Sequence, residues 1–238
     1  MNKLLIDGDI FLYQVATSVE EEIDWGNDVW TLHSDLKQAR QLMDYELNKL
    51  IERLAVPEML IAFSDSNSNW RKSVLPSYKQ NRKGNRKPVV YVPLREYVEE
   101  AYNTVCYPTL EADDVLGLLA CANTIIVSDD KDLRTIPGQL YIPYKDELVN
   151  ITEEQADRQH LLQTLTGDPV DGYKGCPGVG PVKAERVLEN NTWEEVVNAY
   201  IKSGLNEEVA LIQARVARIL RCGEYDKKTK EVKLWCPK

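Results

Sequence analysis

The chain has 238 residues, 43% apolar and 28% charged, with a net charge of −9. This composition suits one substantial globular core plus a smaller subdomain, and no apolar run approaches the roughly 18 residues a membrane span needs. The start turns acidic too early for a signal peptide, and five cysteines without a CxxC pair, beside two histidines, argue against a zinc site and for reduced thiols in a cytoplasmic setting.

Lys3–Asp7 reads as a first strand, an apolar run that ends on Asp7. Leu36, Ala39, Leu42, Met43, Leu47, Leu50, Ile51 and Leu54 then recur at three- and four-residue steps, predicting a long helix whose stripe packs on the core. Met59–Ser64 reads as a second strand, ending at Asp65. Between Arg71 and Lys87 stand seven basic residues, Arg71, Lys72, Lys79, Arg82, Lys83, Arg86 and Lys87, and no acidic one. Such a local positive segment in an acidic protein is the electrostatic footprint expected for a polyphosphate backbone. Thr104–Tyr107, Thr124–Ser128 and Leu140–Pro143 complete the candidate strands, with a helix predicted over Glu111–Ala122. Alternation of strands and helices predicts an α/β fold with a mostly parallel sheet flanked by helices. In such sheets ligands bind outside the carboxyl ends of the strands, so Asp7, Asp65, Asp130 and Asp132 are expected to converge on one edge.

From about Asn150 the pattern is mostly helical. The glycine-rich stretch Asp171–Ala184 runs into a helix predicted over Val182–Leu188, where exposed N–H groups suit an anion. Arg215, Arg218 and Arg221 fall on one face of a helix, facing either duplex phosphates or solvent. Glu231–Trp235 alternates like an edge strand, with Lys227, Lys228 and Lys230 in a hairpin turn before it.

The acids carry the chemistry. Besides those at strand ends, Glu111-Ala112-Asp113-Asp114 and Asp168-Pro169-Val170-Asp171 adjoin helical patterns. Like charges gathered out of bulk water repel and lose solvation, so a cluster of this kind needs something positive within it. Hard divalent cations take oxygen ligands and bind substrate phosphates, which points to a metal-dependent phosphodiester enzyme.

Taken in order, Asp7-Gly8, Phe63-Ser64-Asp65, Glu111-Ala112-Asp113-Asp114, Asp130-Lys131-Asp132-Leu133, Gly167-Asp168-x-x-Asp171-Gly172 and Pro177-Gly178-Val179-Gly180 closely resemble the 5′→3′ exonuclease and flap endonuclease family. The likeness runs from Leu4 to Trp235 and is strongest to the short bacteriophage exonucleases. It implies a PIN-like nuclease core over residues 1–149, with a helical arch within 70–95, and a helix-hairpin-helix subdomain over 150–238. It also implies two or more Mg²⁺ ions, replaceable by Mn²⁺, and K⁺ at the hairpin. By resemblance, Asp7, Asp65, Glu111 and Asp113 hold one ion, and Asp130, Asp132, Asp168 and Asp171 the other. Asp113 lies between them and Asp114 outside, while Asp129 and Asp9 are set aside.

Two ions about 3.5–4 Å apart serve an in-line displacement by water. Lys79 and Arg82 are expected at the scissile phosphate, and Tyr78 against the terminal base. Arg71, Lys72, Lys83, Arg86 and Lys87 would line the DNA path, and Gly178, Gly180 and Lys183 would hold the duplex backbone. The implied substrates are duplex, nicked or flap DNA with 5′ ends, and RNA–DNA hybrids. The expected protein is a monomer without membrane contact, working beside replication proteins in the host cytoplasm if phage-encoded. Two alternatives are a PIN-like ribonuclease and a non-catalytic helix-hairpin-helix binding protein.

Overall fold

Apolar continuity puts the first strand at the centre. The computed structural model describes residues 2–82 and 84–237. In it β1 (Lys3–Asp7) is buried from Leu4 onward. An exposed hairpin follows, β2 (Glu20–Asp24) and β3 (Trp30–Ser34), then β4 (Glu58–Ala62), β5 (Thr104–Val105), β6 (Thr124–Val127), β7 (Gly138–Ile142) and β8 (Glu147–Ile151). The main sheet has the order β5-β4-β1-β6-β7-β8, and all neighbours are parallel except β7 and β8.

A parallel sheet must be covered on both faces. Helices α1 (Gly8–Ser18) and α2 (Leu36–Leu54) pack on one face, the latter with the stripe its spacing predicts: Ala39, Met43, Leu47 and Leu50 are buried. The short α3 (Arg71–Val74) precedes α4 (Tyr91–Ala101), which joins α1 and α2 through Leu94 and Val98. On the other face α5 (Ala112–Leu119) buries Val115 and Leu116 against Leu5 and Ile126. A separate apolar cluster around Leu165, Val196 and Tyr200 unites α6 (Glu153–Thr166), α7 (Pro181–Val187), α8 (Trp193–Lys202) and α9 (Glu207–Ala217). A last hairpin, β9 (Tyr225–Asp226) with β10 (Glu231–Val232), has the lysine-bearing turn expected.

Four features differ from the sequence reading. The β2–β3 hairpin is mostly exposed, so it has no in–out alternation to signal it. The expected division after residue 149 falls inside β8, which closes the sheet at Ile151. In place of the helical arch expected within 70–95, the described residues between Trp70 and Val90 form only the single turn of α3 and a 3₁₀ turn at Gln80–Arg82 before α4 begins. Finally, α9 ends at Ala217, so Arg218 and Arg221 are not on its face. Arg218 is buried and paired with Glu224, while Arg221 donates to Thr135 O and pairs with Asp157. Arg215 donates to Trp235 O. These guanidiniums stitch the C-terminal segment to the body and do not form a phosphate-facing row.

Candidate active site

The site begins at the carboxyl end of β1. Asp7 closes the strand and caps α1, accepting from Ile10 N at 3.2 Å and from Ser128 Oγ at 2.7 Å. The helix starts close against β4: a Cβ at Gly8 would lie 2.6 Å from Ala62 O, so only glycine fits. At the end of the neighbouring β6, Asp130 caps the following 3₁₀ turn by accepting from Asp132 N at 2.8 Å. Glu111 is the N-cap of α5, with Asp113 in its first turn. Asp168 folds the turn after α6 by accepting from Val170 N at 2.7 Å and Asp171 N at 3.3 Å.

These elements meet around a cavity of about 320 Å³. Asp7, Asp9, Glu111, Asp113, Asp130, Asp132, Asp168 and Asp171 all line it. Lys79, Arg82 and Lys131 are the cations on its wall. Burial, reinforced by Asp9 and Asp130, pushes the Asp7 carboxyl up to about 7. Burial and Asp130 push Asp132 up to about 7 as well. Asp113 rises well above the usual range through burial and the nearby Asp7 and Asp130 charges, and burial raises Asp130. Glu111 goes the other way: burial opposes its charge, but Lys79 and Arg71 hold it down to about 2. Burial likewise opposes the charge of Asp168, and the Val170 N–H and Lys131 keep its carboxyl below the usual range.

Among the described residues no three Asp, Glu, His or Cys side chains stand ready as one coordination shell. Several carboxylates are turned instead toward cations. Lys79 Nζ donates to Glu111 and lies 3.6 Å from Asp171, Arg82 pairs with Asp171, and Lys131 Nζ is 3.2 Å from Asp168. The donor set is all carboxylate oxygen, which fits hard divalent cations. Lys79 itself has φ of 53°, a left-handed conformation held by its N–H donating to Asp171 O at 2.8 Å.

Four expected site residues are used differently. Asp65 does not border the cavity; it accepts from Asn67 N, Ser68 Oγ and Thr109 N, building its own loop. Asp114 is fully buried, its oxygens taken by Arg71, Trp70 Nε1 and Leu220 N, so it has no face toward a metal. Arg71 is buried, bridging Asp114, Glu111 and the carbonyls of Val216 and Arg218, and is closed to DNA. Tyr78 is 2% exposed, its hydroxyl 2.9 Å from both Glu111 and Asp171 with one proton to share between them, so its ring is not open to a base.

Asp9, set aside in the sequence, lines the cleft and accepts from Ser64 N at 3.1 Å. Its position two residues after Asp7, at the start of the same helix, was the available signal. Ser128 and Gln163, which donate to Asp7 and Asp132, had none. Of the other basic residues, Lys72 is exposed, Lys87 covers the Tyr91 ring at 4.2 Å, Arg86 pairs with Glu20, and Lys83 lies outside the described residues. Gly178 and Gly180 sit in the turn before α7, and Lys183 Nζ donates to Gly178 O at 3.1 Å, beside a separate cavity between α7 and α8.

A family model described as the 5′-3′ exonuclease, N-terminal resolvase-like domain, matches residues 2–163. The chain belongs to this 5′-3′ exonuclease family. An exodeoxyribonuclease of Enterobacteria phage T3 is 31% identical, covering 99% of this chain and 93% of its own length. An exonuclease of Escherichia phage T7 is 32% identical, covering 98% and 93%. Two solved structures share the fold at low identity. The bacteriophage T5 D15 protein, co-crystallised with metal ions, aligns at a TM-score of 0.67 and 14% identity, covering 91% of this chain and 89% of its own. The T5 D15 flap endonuclease in a complex with DNA and metal ions aligns at 0.69 and 15%, with the same coverage. The protein is thus a nuclease of the 5′-3′ exonuclease family.

Proposed function

We propose that this nuclease is Mg²⁺-dependent and hydrolyses phosphodiester bonds at the 5′ ends of duplex, nicked or flap DNA. One observation carries the reading: eight acids line a single cleft, four of them pushed above the usual carboxylate range, with Lys79 and Arg82 on its wall. The names of the phage relatives and the DNA in the T5 complex support the substrate class. Asp7, Asp9, Glu111 and Asp113 would hold one ion and Asp130, Asp132, Asp168 and Asp171 a second, with Asp113 between. Bound Mg²⁺, or Mn²⁺ in its place, would supply an activated water and neutralise charge on the phosphate.

The chain's own groups do the rest. Lys79 stays protonated, because Glu111 and Asp171 outweigh the burial that opposes its charge. It is therefore a charged donor held at the cleft for the scissile phosphate, with N–H groups to spare beyond the one it gives Glu111. Arg82 reaches the same edge from its pair with Asp171. The Gly178–Lys183 turn would hold the duplex backbone, with K⁺ against its carbonyls. The same proposal includes RNA strands in RNA–DNA hybrids, a monomer acting in the cytoplasm, and a place beside replication proteins in phage DNA replication, recombination or degradation.

The test uses 5′-labelled blunt, nicked and flap DNA and single-stranded RNA, each with Mg²⁺ or EDTA. Metal-dependent 5′ products from DNA are expected. Cleavage of the RNA alone would favour a PIN-like ribonuclease, and binding without cleavage in any metal would leave only a binding protein.

A further inference from the structure

Asp7 and Asp130 belong to different ions in the reading above, yet one buried hydroxyl joins them. β1 and β6 run parallel with Ile6 beside Val127, and the next residues along the two chains are Asp7 and Ser128. Ser128 is fully buried, and its N–H is taken by Tyr141 O at 3.2 Å. Its Oγ donates to Asp7 Oδ2 at 2.7 Å and accepts from Asp130 N at 3.0 Å. Both directions are fixed, because a backbone N–H can only donate, an ionised carboxylate can only accept, and a hydroxyl has one proton to give.

The line of contacts continues on both sides of Ser128. Asp7 Oδ1 accepts from Ile10 N of α1 at 3.2 Å. Asp130 Oδ1 accepts from Asp132 N at 2.8 Å, and Asp132 Oδ1 accepts from Gln163 Nε2 of α6 at 2.7 Å. Three acids of the cleft are thus held in one row between α1 and α6. Gln163 is buried like Ser128, and neither residue borders the cleft, so both act on it only through the carboxylates they hold. Ser128 touches an acid of each proposed ion set, whereas Gln163 touches Asp132 alone.

We propose that Ser128 is a positioning residue that couples the two metal sites, fixing Asp7 of one against Asp130 of the other. Asp7 stands at the end of a buried central strand, so its backbone is already held. Asp130 follows the last residues of β6 and caps a short 3₁₀ turn, and the Ser128 hydroxyl is what ties its N–H to the strand end. Groups that orient metal-binding carboxylates from behind typically change metal affinity by roughly 10–100-fold. The inference rests on the two-ion reading above and adds the residue that keeps the two ligand sets in register.

Mn²⁺ binding without DNA, followed by calorimetry, compares wild type, Ser128→Ala, Ser128→Cys and Gln163→Ala, with thermal unfolding in EDTA as the control for folding. Wild type should hold two ions. Ser128→Ala should weaken both by about 10–100-fold, whereas Gln163→Ala should weaken only one. Ser128→Cys, a poorer donor and acceptor in the same place, should weaken both by about tenfold, and it decides the matter should the alanine variant not fold. In cleavage of labelled DNA, the Mg²⁺ concentration giving half the maximal rate should rise about tenfold or more in Ser128→Ala, with KM for DNA little changed. Unchanged ion affinity in the folded variants, a loss confined to one ion, or fewer than two ions on wild type would overturn the role of Ser128 and leave the nuclease reading standing. A wild type without Mg²⁺- or Mn²⁺-dependent cleavage overturns that reading, and this inference with it.

Discussion

Asp113 and Asp114 are neighbours in the first turn of one helix, yet they belong to opposite regions. Asp114 sits in a closed knot where Arg71, Trp70 Nε1 and Leu220 N satisfy its oxygens. Asp113 faces the cleft, where the charges of Asp7 and Asp130 add to burial and push its carboxyl up. The comparison separates two uses of acidic residues. A buried carboxylate with a donor for every oxygen holds the fold together, while carboxylates that face each other over one cavity await cations from solution.

The knot gives the largest stability effect. Arg71→Ala should destabilise by about 3–5 kcal/mol, because it strands a buried Asp114 charge and leaves the Val216 and Arg218 carbonyls short of a donor. Thermal or urea unfolding reads this, and a loss under about 1 kcal/mol would show that the knot is dispensable. In the cleft the signs reverse. Asp113→Asn should lower DNA cleavage by about a hundredfold or more. In EDTA it should leave stability unchanged or raised, since it replaces a buried carboxyl whose ionisation Asp7 and Asp130 oppose with a neutral amide. A matched fall in melting temperature would move Asp113 to the structural class.

This contrast marks what the sequence could and could not tell. The strand ends and the α2 stripe follow from local pattern, so the edge on which Asp7 and Asp130 meet was legible. Local pattern puts Asp113 and Asp114 in one helical turn alike; the family resemblance set Asp114 outside the ions, and the physical reason is Arg71, which lies 43 residues from Asp114 in sequence. The pattern could not see that Asp65 is spent on its own loop, since its Thr109 N partner lies 44 residues away. Nor could a basic segment reveal that Arg71 is buried while Lys72 beside it is exposed. Helical phase placed three arginines on one face, but the chain turned after Ala217.

The two halves should also answer pH differently. His160 on α6 is buried, its Nε2 against Ala214 O at 2.8 Å, with its ring edge-on to Trp235. Burial pushes its pKa down to about 3, helped by Arg218 and Arg221 and opposed by the Ala214 carbonyl and Asp157. The unfolded chain takes a proton near pH 6.5 that the folded chain refuses, so this group costs stability as pH falls from about 6.5 toward 3. At pH 5 the cost is about 2 kcal/mol. In the cleft Asp7 and Asp132 bind protons more readily folded than unfolded, which gains stability as pH falls through about 7 without metal. Comparing wild type with His160→Gln in EDTA cancels the cleft and isolates the histidine. Parallel stability–pH curves would refute its buried, neutral state.

The smallest effect tests the boundary between the two regions, where Tyr78 lies. Its hydroxyl lies 2.9 Å from both Glu111 and Asp171, both cleft residues, sharing its one proton between them, while its ring packs with Tyr173, Val216 and Ala217 in the interior. Tyr78→Phe keeps the packing and removes only the hydroxyl and its shared hydrogen bond. Glu111 and Asp171 retain Lys79 as a partner, so the cost in stability should be about 1 kcal/mol. DNA affinity, measured with Ca²⁺ replacing Mg²⁺ to prevent cleavage, should change little for either Tyr78→Phe or Tyr78→Leu. If Tyr78 stacked on a terminal base, Tyr78→Leu would instead weaken binding by about 1–3 kcal/mol while Tyr78→Phe would not. That split would mean the ring leaves its interior packing when DNA binds, and Tyr78 would belong to the cleft alone.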